Sequence, residues 1–225
     1  MSDFIEENNL LLARVPSYLE YNFVRNSING SEFACGIERL SRRLVSENSK
    51  FKLFFDHIVD RISGESVDNF LIVEPKNKKI DGITGVAILP IFSGNIGLVR
   101  IYRPPVEGWC YEIPHGFIES GESETAAAKR ELMEEAGLKV DILEDLGLVM
   151  PDSGIIAAQV RLYVAHVSAL ACPQDLEMGL REFIWLPMSR FEQMLQDSSI
   201  QDSFTLSAWC RYLLASKSKT LKEKI

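Results

Sequence analysis

Residues 116–138 read GFIESGESETAAAKRELMEEAGL, and this stretch decides the fold. Ser123 is predicted to cap a helix, because its hydroxyl can accept a hydrogen bond from a free backbone N–H of the first turn. Glu124 suits the positive end of the helix dipole. Gly137 is predicted to end the helix, because glycine readily adopts the left-handed conformation that closes a last turn. The stretch therefore predicts a glycine-led loop that runs into one helix.

Three glutamates of this helix lie on one stripe. Each residue turns the helix by about 100°, so Glu135 lies about 40° from Glu131, and Glu134 about 60° to its other side. Like charges at this spacing destabilise an isolated helix by roughly 0.2–0.5 kcal/mol per pair, and a hard divalent cation would offset that repulsion. Mg²⁺ binds one or two carboxylates and completes its shell with water and phosphate oxygens. The stripe indicates a metal site, with an ordinary solvated helix face as the alternative.

The spacing resembles the signature of the Nudix hydrolases, which is Gly, five residues, Glu, seven residues, Arg-Glu-aliphatic, one residue, Glu-Glu, one residue and Gly-aliphatic. All nine fixed positions are filled, by Gly116, Glu122, Arg130, Glu131, Leu132, Glu134, Glu135, Gly137 and Leu138. The resemblance implies an α/β fold, an α/β/α sandwich around a mixed sheet, and hydrolysis of a nucleoside diphosphate linked to another group. It also implies that Arg130 and Glu122 form a structural ion pair that holds the loop against the helix.

The same resemblance implies a metal-binding and catalytic role for the helix. Glu131 and Glu135 would be the principal metal ligands, and Glu134 an auxiliary one. The backbone carbonyl of His115 would also reach the metal, while its imidazole has no implied role. The metal would be Mg²⁺, with Mn²⁺ as the alternative.

Residues 101–116, IYRPPVEGWCYEIPHG, resemble the ADP-ribose and ADP-sugar pyrophosphatase branch of that family. The resemblance implies that Arg103 contacts the substrate phosphates or the terminal ribose, and a guanidinium suits bidentate phosphate recognition. Glu112 would hold a ribose hydroxyl or Arg103 itself. A structural ion pair is the alternative for both residues. The chain departs from the branch at Ile101, where glutamine is usual, and at His115, where alanine is usual.

Residues 116–138 are called the Nudix box below. Two further parts of such an enzyme lie outside it. The resemblance places the general base or an extra metal ligand in an acidic loop, residues 172–179. Glu177 is the first candidate and Asp175 the second, and an exposed loop acid is the alternative. The adenine would stack on aromatic residues of the N-terminal strands. The candidates, each also interpretable as a core residue, are Tyr18, Tyr21, Phe23, Phe51 and Phe54. The N-terminal segment would exchange across a homodimer.

Composition favours an intracellular enzyme with one main domain. The 225 residues are 46% hydrophobic, which is enough for a substantial core. Four scattered cysteines without a CxxC pair, and no secretory segment, predict reduced thiols and a cytoplasmic location. No apolar run reaches the roughly 18 residues of a membrane span. The 24 basic and 32 acidic residues give a net charge of −8, which disfavours a nucleic-acid surface.

Local patterns divide the chain into four segments. Residues 1–48 form an N-terminal extension of unassigned role, with a short amphipathic helix predicted at 37–45. Residues 49–80 are predicted as a small antiparallel β region that serves dimerisation, residues 81–216 as the Nudix domain and residues 217–225 as a polar tail. Within the domain, strands are predicted at 82–92, 96–102, 142–150, 157–167 and 181–186, and helices at 187–196 and 202–216.

The sequence thus predicts Mg²⁺-dependent hydrolysis of the diphosphate linkage of ADP-ribose or a related nucleotide sugar, giving a nucleoside monophosphate and a sugar phosphate. Other nucleoside diphosphate derivatives, such as GDP-mannose, UDP-glucose or NADH, are alternative substrates. A non-catalytic nucleotide sensor is an alternative of a different class. The complete set of box carboxylates argues against it, because a pure binder has no need of all three. Fold resemblance by itself does not identify the substrate.

Overall fold

A computed structural model of the protein describes residues 36–167 and 179–222. Ten strands and three helices lie in these ranges. They are β1 (Ile37–Glu47), β2 (Phe51–Asp60), β3 (Ser66–Pro75), β4 (Ile83–Phe92), β5 (Asn95–Arg103), β6 (Gly108–Glu112), β7 (His115–Phe117), α1 (Glu124–Ala136), β8 (Ile142–Val149), β9 (Gln159–His166), β10 (Leu180–Pro187), α2 (Met188–Gln196) and α3 (Ser203–Lys222).

The described chain divides into two compact units, and the first holds residues 36–47 and 53–72. It contains a small antiparallel sheet in the order β1-β2-β3. The helix predicted at residues 37–45 is wrong, because these residues form most of β1. Arg42 of this strand donates to the buried Asp56 through Nε at 2.9 Å and Nη2 at 2.8 Å, and its guanidinium lies 4.6 Å from the centroid of the Phe54 ring. Cross-strand partners therefore override a local pattern that also fits a helix.

The second unit, residues 48–52, 73–167 and 179–222, is built on a mixed sheet. Its strand order is β10-β5-β4-β9-β8, with β6 paired to β5 and β7 paired to β4. The pairing of β4 with β9 is parallel, and the other pairings of this sheet are antiparallel. The predicted mixed sheet is thus confirmed.

Helices cover both faces of this sheet. Alternate residues of β4 point to opposite faces, so Val86 and Ile88 pack with α1, while Ala87 and Leu89 pack with α2 and α3. The side chains of Val86, Ile88 and Leu89 are fully buried. Burial of each one stabilises the fold by about 1.5–3 kcal/mol. The predicted α/β/α sandwich is confirmed.

The space for a site arises where β4 and β5 separate. These strands pair next to their turn, where Ile91 faces Ile96. Further along, β5 pairs with β6 and β4 pairs with β7, so that Ala87 faces His115. The sequence did not predict β6 or β7, because a strand of three to five residues carries too short a pattern. The remaining predicted strands and both C-terminal helices are present, and α3 extends to Lys222.

Two further facts concern the helices and the cysteines of the described residues. None of the helices in residues 36–167 and 179–222 has the length and apolar character needed to cross a membrane. Cys110 and Cys210 are the two cysteines in these ranges, and both are free thiols.

Candidate active site

The helix α1 begins and ends as its sequence predicts. The Ser123 hydroxyl accepts a hydrogen bond from the backbone N–H of Ala126 at 3.2 Å. Gly137 follows the last turn with φ 66°, in the left-handed region, and its N–H donates to the carbonyls of Leu132 and Met133. Both ends of the helix therefore have local partners, and its register is fixed.

The three glutamates of α1 lie in different environments. Glu131 and Glu135 are 4% and 3% exposed, as deeply buried as the neighbouring Leu132. The side chain of Glu134 is 47% exposed. Burying a carboxylate costs several kcal/mol unless partners compensate for the lost water. A helix that serves only packing would carry apolar residues at both buried positions, so these two side chains indicate a site.

Arg130 joins the loop to the helix. Its Nε donates to Glu122 at 3.0 Å, and its Nη2 donates to Glu122 at 3.1 Å and to the Phe117 carbonyl at 2.8 Å. Its Nη1 donates to Glu131 and to Glu134, each at 2.8 Å. The Glu122 carboxylate raises the pKa of Arg130, and Arg130 lowers the pKa of Glu122. All five N–H groups of the guanidinium are engaged, and the ion pair that the resemblance implies is present.

Gly116 lets the chain pass close to Glu131. A Cβ at this position would overlap the carboxylate of Glu131. On the other side, a Cβ at Gly85 of β4 would lie 2.7 Å from the Gly116 carbonyl oxygen. The strand β7 is therefore held between β4 and α1 with no room for a side chain at Gly116.

The backbone of His115 lies beside Glu135. Its N–H donates to Glu135 Oε2 at 3.1 Å, and the neighbouring Pro114 carbonyl accepts from the N–H of Ile88 at 2.9 Å. This places one buried carboxylate of α1 next to the residue whose carbonyl the resemblance nominates. A backbone hydrogen bond of this kind partly offsets the burial of Glu135.

Arg103 and Glu112 form a second ion pair at the site. Arg103 lies at the end of β5 and Glu112 at the end of β6. Arg103 Nε donates to Glu112 Oε1 at 3.0 Å, and Nη2 donates to Oε2. Glu112 is 5% exposed, and its hydrogen bond raises the pKa of Arg103. Of the two partners expected for Glu112, the structure shows Arg103.

The donor set fits a hard divalent cation. Within residues 36–167 and 179–222, no three acidic, histidine or cysteine side chains are gathered around one point. The Arg130 guanidinium binds both Glu131 and Glu134. Mg²⁺ needs only one or two protein carboxylates when waters and substrate phosphates supply the rest. Glu131 and Glu135, both buried, are the residues that would provide those two oxygen donors.

A hydroxyl from α3 anchors the strand that leads to the site, a link that sequence reasoning missed. Thr205 is fully buried, and its Oγ1 accepts from the N–H of Ile113 at 3.0 Å. The same hydroxyl donates to Asp202 Oδ2 at 2.7 Å, and this carboxylate also accepts from the Thr205 N–H at 2.7 Å. Asp202 thus caps α3. Thr205 links this cap to the backbone of Ile113, two residues before His115. The Asp-x-x-Thr spacing at residues 202–205 is the only sequence signal of this link.

Thr205→Val is expected to lower the free energy of unfolding by about 1–3 kcal/mol, because it leaves the buried N–H of Ile113 without an acceptor and removes one of the two donors to the Asp202 carboxylate. Urea denaturation measures the change as a shift in midpoint. Thr205→Ser keeps the hydroxyl and is the control. A larger loss in the serine variant than in the valine variant would show that the methyl group, not the hydroxyl, matters.

The remaining candidates are the acidic residues proposed as general base and the aromatic residues proposed to stack on adenine. Those outside the described ranges are Asp175, Glu177, Tyr18, Tyr21 and Phe23. Phe51 packs edge-on against Phe117, with ring centroids 5.6 Å apart. Phe54 carries the Arg42 guanidinium on its ring. The described aromatic candidates therefore have protein partners.

Comparison with known proteins gives concordant results. Residues 83–206 match the profile of the NUDIX domain. An ADP-sugar pyrophosphatase of Mus musculus is 40% identical over 82 residues, which is 36% of this chain and 38% of that protein. An ADP-ribose pyrophosphatase of Saccharomyces cerevisiae is 37% identical over 100 residues, which is 42% of this chain and 43% of that protein. The matched stretches thus span about two fifths of the length of these relatives.

A solved structure described as an ADP compounds hydrolase has the same fold. It superposes with a TM-score of 0.67 at 20% identity, covering 84% of this chain and 98% of the other. At this identity the likeness concerns the fold.

Proposed function

The chain belongs to the NUDIX domain family, and we propose that it hydrolyses the diphosphate linkage of ADP-ribose or a related nucleotide sugar. The products would be a nucleoside monophosphate and a sugar phosphate. One observation carries the proposal: the two buried carboxylates of α1, Glu131 and Glu135, lie beside the backbone of β7. The named pyrophosphatase relatives support ADP-ribose and ADP-sugars as the substrate class.

We propose that Glu131 and Glu135, with the His115 carbonyl, hold Mg²⁺ or Mn²⁺, and that Glu134 assists. When bound, the ion would neutralise charge on the diphosphate and lower the pKa of the attacking water. Arg130 keeps Glu131 oriented through its Nη1. The deep burial of both carboxylates keeps bulk water from competing for their oxygens.

Arg103 and Glu112 are proposed to receive the substrate. Arg103 would donate to a phosphate oxygen or to the terminal ribose, and Glu112 would fix the guanidinium plane. A water molecule would then attack one phosphorus in line with the bridging oxygen, the P–O bond to that oxygen would break, and the leaving group would depart as a phosphate monoester. Glu177 is proposed to take the proton of the water, with Asp175 as second candidate.

A homodimer and a cytoplasmic location complete the proposal. The support for the dimer is the separate three-stranded sheet, whose exposed apolar side chains include Leu40, Leu44 and Val67. A monomer in light scattering would remove this part. Small nucleotide sugars, and no nucleic acid, are the proposed partners, in keeping with a net charge of −8.

With Mg²⁺, ADP-ribose or ADP-glucose is expected to give the highest kcat/KM in a panel that also contains GDP-mannose, UDP-glucose and NADH. The measurement is phosphate-monoester release at matched concentrations, with chelator-treated protein as the control. A preference for a guanine or uridine substrate would reassign the substrate. Binding of ADP-ribose without release from any member would instead favour a sensor.

A further inference from the structure

The imidazole of His115 has no role in the proposed chemistry, although it lies against Arg103. Its Nδ1 lies 3.0 Å from the carbonyl oxygen of Ile113. Its Nε2 lies 3.1 Å from Arg103 Nη2. The edge of the Phe204 ring packs against it, with ring centroids 5.2 Å apart. Three neighbours from three segments of the chain therefore hold this ring in place.

One tautomer satisfies both polar contacts of the ring. A carbonyl oxygen only accepts hydrogen bonds, so Nδ1 must carry the proton that points at Ile113. Nε2 faces Arg103 Nη2, which only donates, so Nε2 must be the nitrogen that accepts. The Glu112 carboxylate is 3.8 Å from Nε2, too far for a hydrogen bond to the ring. His115 is thus an acceptor for Arg103.

Because His115 accepts a hydrogen bond from Arg103, fewer N–H groups of Arg103 remain to bind a ligand. Nε and one hydrogen of Nη2 bind Glu112, and His115 takes the second hydrogen of Nη2. Within the described ranges, the two N–H groups of Nη1 have no protein acceptor. In Arg130, by contrast, all five N–H groups have acceptors. The side chain of Arg103 is 35% exposed, so one edge of its guanidinium is available to a ligand.

We infer that His115 is a positioning residue. Its imidazole accepts a hydrogen bond from Nη2 of Arg103, so that only Nη1 is left to donate to a phosphate oxygen of the substrate. The inference rests on the proposed function for the identity of the ligand. Glu112 fixes the plane of the guanidinium, and His115 prevents Nη2 from turning to a second acceptor.

The test compares two substitutions of His115. His115→Phe keeps a ring against Phe204 and removes the acceptor, and it is expected to raise KM for ADP-ribose by about tenfold. The Mg²⁺ concentration for half-maximal rate should not change, and kcat should fall little. His115→Gln places an amide oxygen near the position of Nε2 and should restore most of the KM. Equal KM values for the phenylalanine variant and the wild type would overturn the inference, as would a loss confined to kcat.

A second measurement needs no substrate. Long-range ¹H–¹⁵N NMR of the neutral His115 ring should show the proton on Nδ1 in the wild type. A proton on Nε2 would overturn the inference, because Nε2 could then not accept from Arg103. Absence of turnover in the wild type would overturn the proposed function instead, so the two failures are distinguishable.

Discussion

Glu135→Gln is expected to lower kcat for ADP-ribose by about 10³-fold, with KM changed far less. Glu135 is 3% exposed and lies beside the backbone of His115. Metal-assisted charge neutralisation contributes several kcal/mol to such a transition state, and each 1.36 kcal/mol is about a tenfold change in rate. The glutamine oxygen can still accept from the His115 N–H, so folding should survive. The measurement is the initial rate of phosphate-monoester release at saturating substrate and Mg²⁺.

Glu134→Gln is the matched control on the same helix. Glu134 is largely exposed and pairs with Arg130, and an exposed ion pair contributes about 1 kcal/mol or less. Its loss should therefore lower kcat by less than about tenfold. Equal losses in the two variants would contradict a special role for the buried carboxylate, and a wild-type rate in Glu135→Gln would remove it from the mechanism.

Gly116→Ala is expected to lower kcat by about 10²-fold, because an added methyl group would displace the Glu131 carboxylate, and a misplacement of about 1 Å costs this much. Overpacking should also lower the free energy of unfolding by about 1–3 kcal/mol. The carbonyl oxygen of Gly116 itself lies close to Gly85, so β7 has little freedom to move away from Glu131. Steady-state rates and urea denaturation measure the two effects separately.

Gly154→Ala is the control for this prediction. Its Cβ would approach only the flexible side chain of Asp152, at 3.3 Å. We expect nearly normal rates and stability. If Gly116→Ala retained the wild-type rate, the close approach of β7 to Glu131 would have no catalytic consequence.

Features set by neighbours along the chain were predictable from the sequence. The helix α1, its Ser123 cap and its Gly137 end follow from hydrogen bonds within one or two turns. The continuous burial of β4 could also be anticipated, because an almost uninterrupted apolar run is typical of a strand that is covered on both faces. The mixed sheet and its two helical layers followed from the resemblance that the box carries.

Features set by distant partners were not predictable. The residues of β1 fit a helix by local pattern, and only pairing with β2 and the contact of Arg42 with Asp56 decide for a strand. Helical angles placed three glutamates on one stripe, but the packing of α1 on the sheet decides that Glu134 is exposed. The link from Thr205 to Ile113 spans 92 residues in sequence. The Asp-x-x-Thr spacing indicates the cap of α3, but no local signal identifies Ile113 as the partner of Thr205.

Product identification by ³¹P NMR tests the central claim most directly. Purified protein is incubated with ADP-ribose and Mg²⁺, and the phosphorus signals are followed over time. The expected result is replacement of the diphosphate signals by two monoester signals, from AMP and ribose 5-phosphate, with no change in a parallel sample of Glu135→Gln. Unchanged diphosphate signals, in a sample where ADP-ribose measurably stabilises the protein against heat, would contradict hydrolysis and indicate a nucleotide-binding sensor.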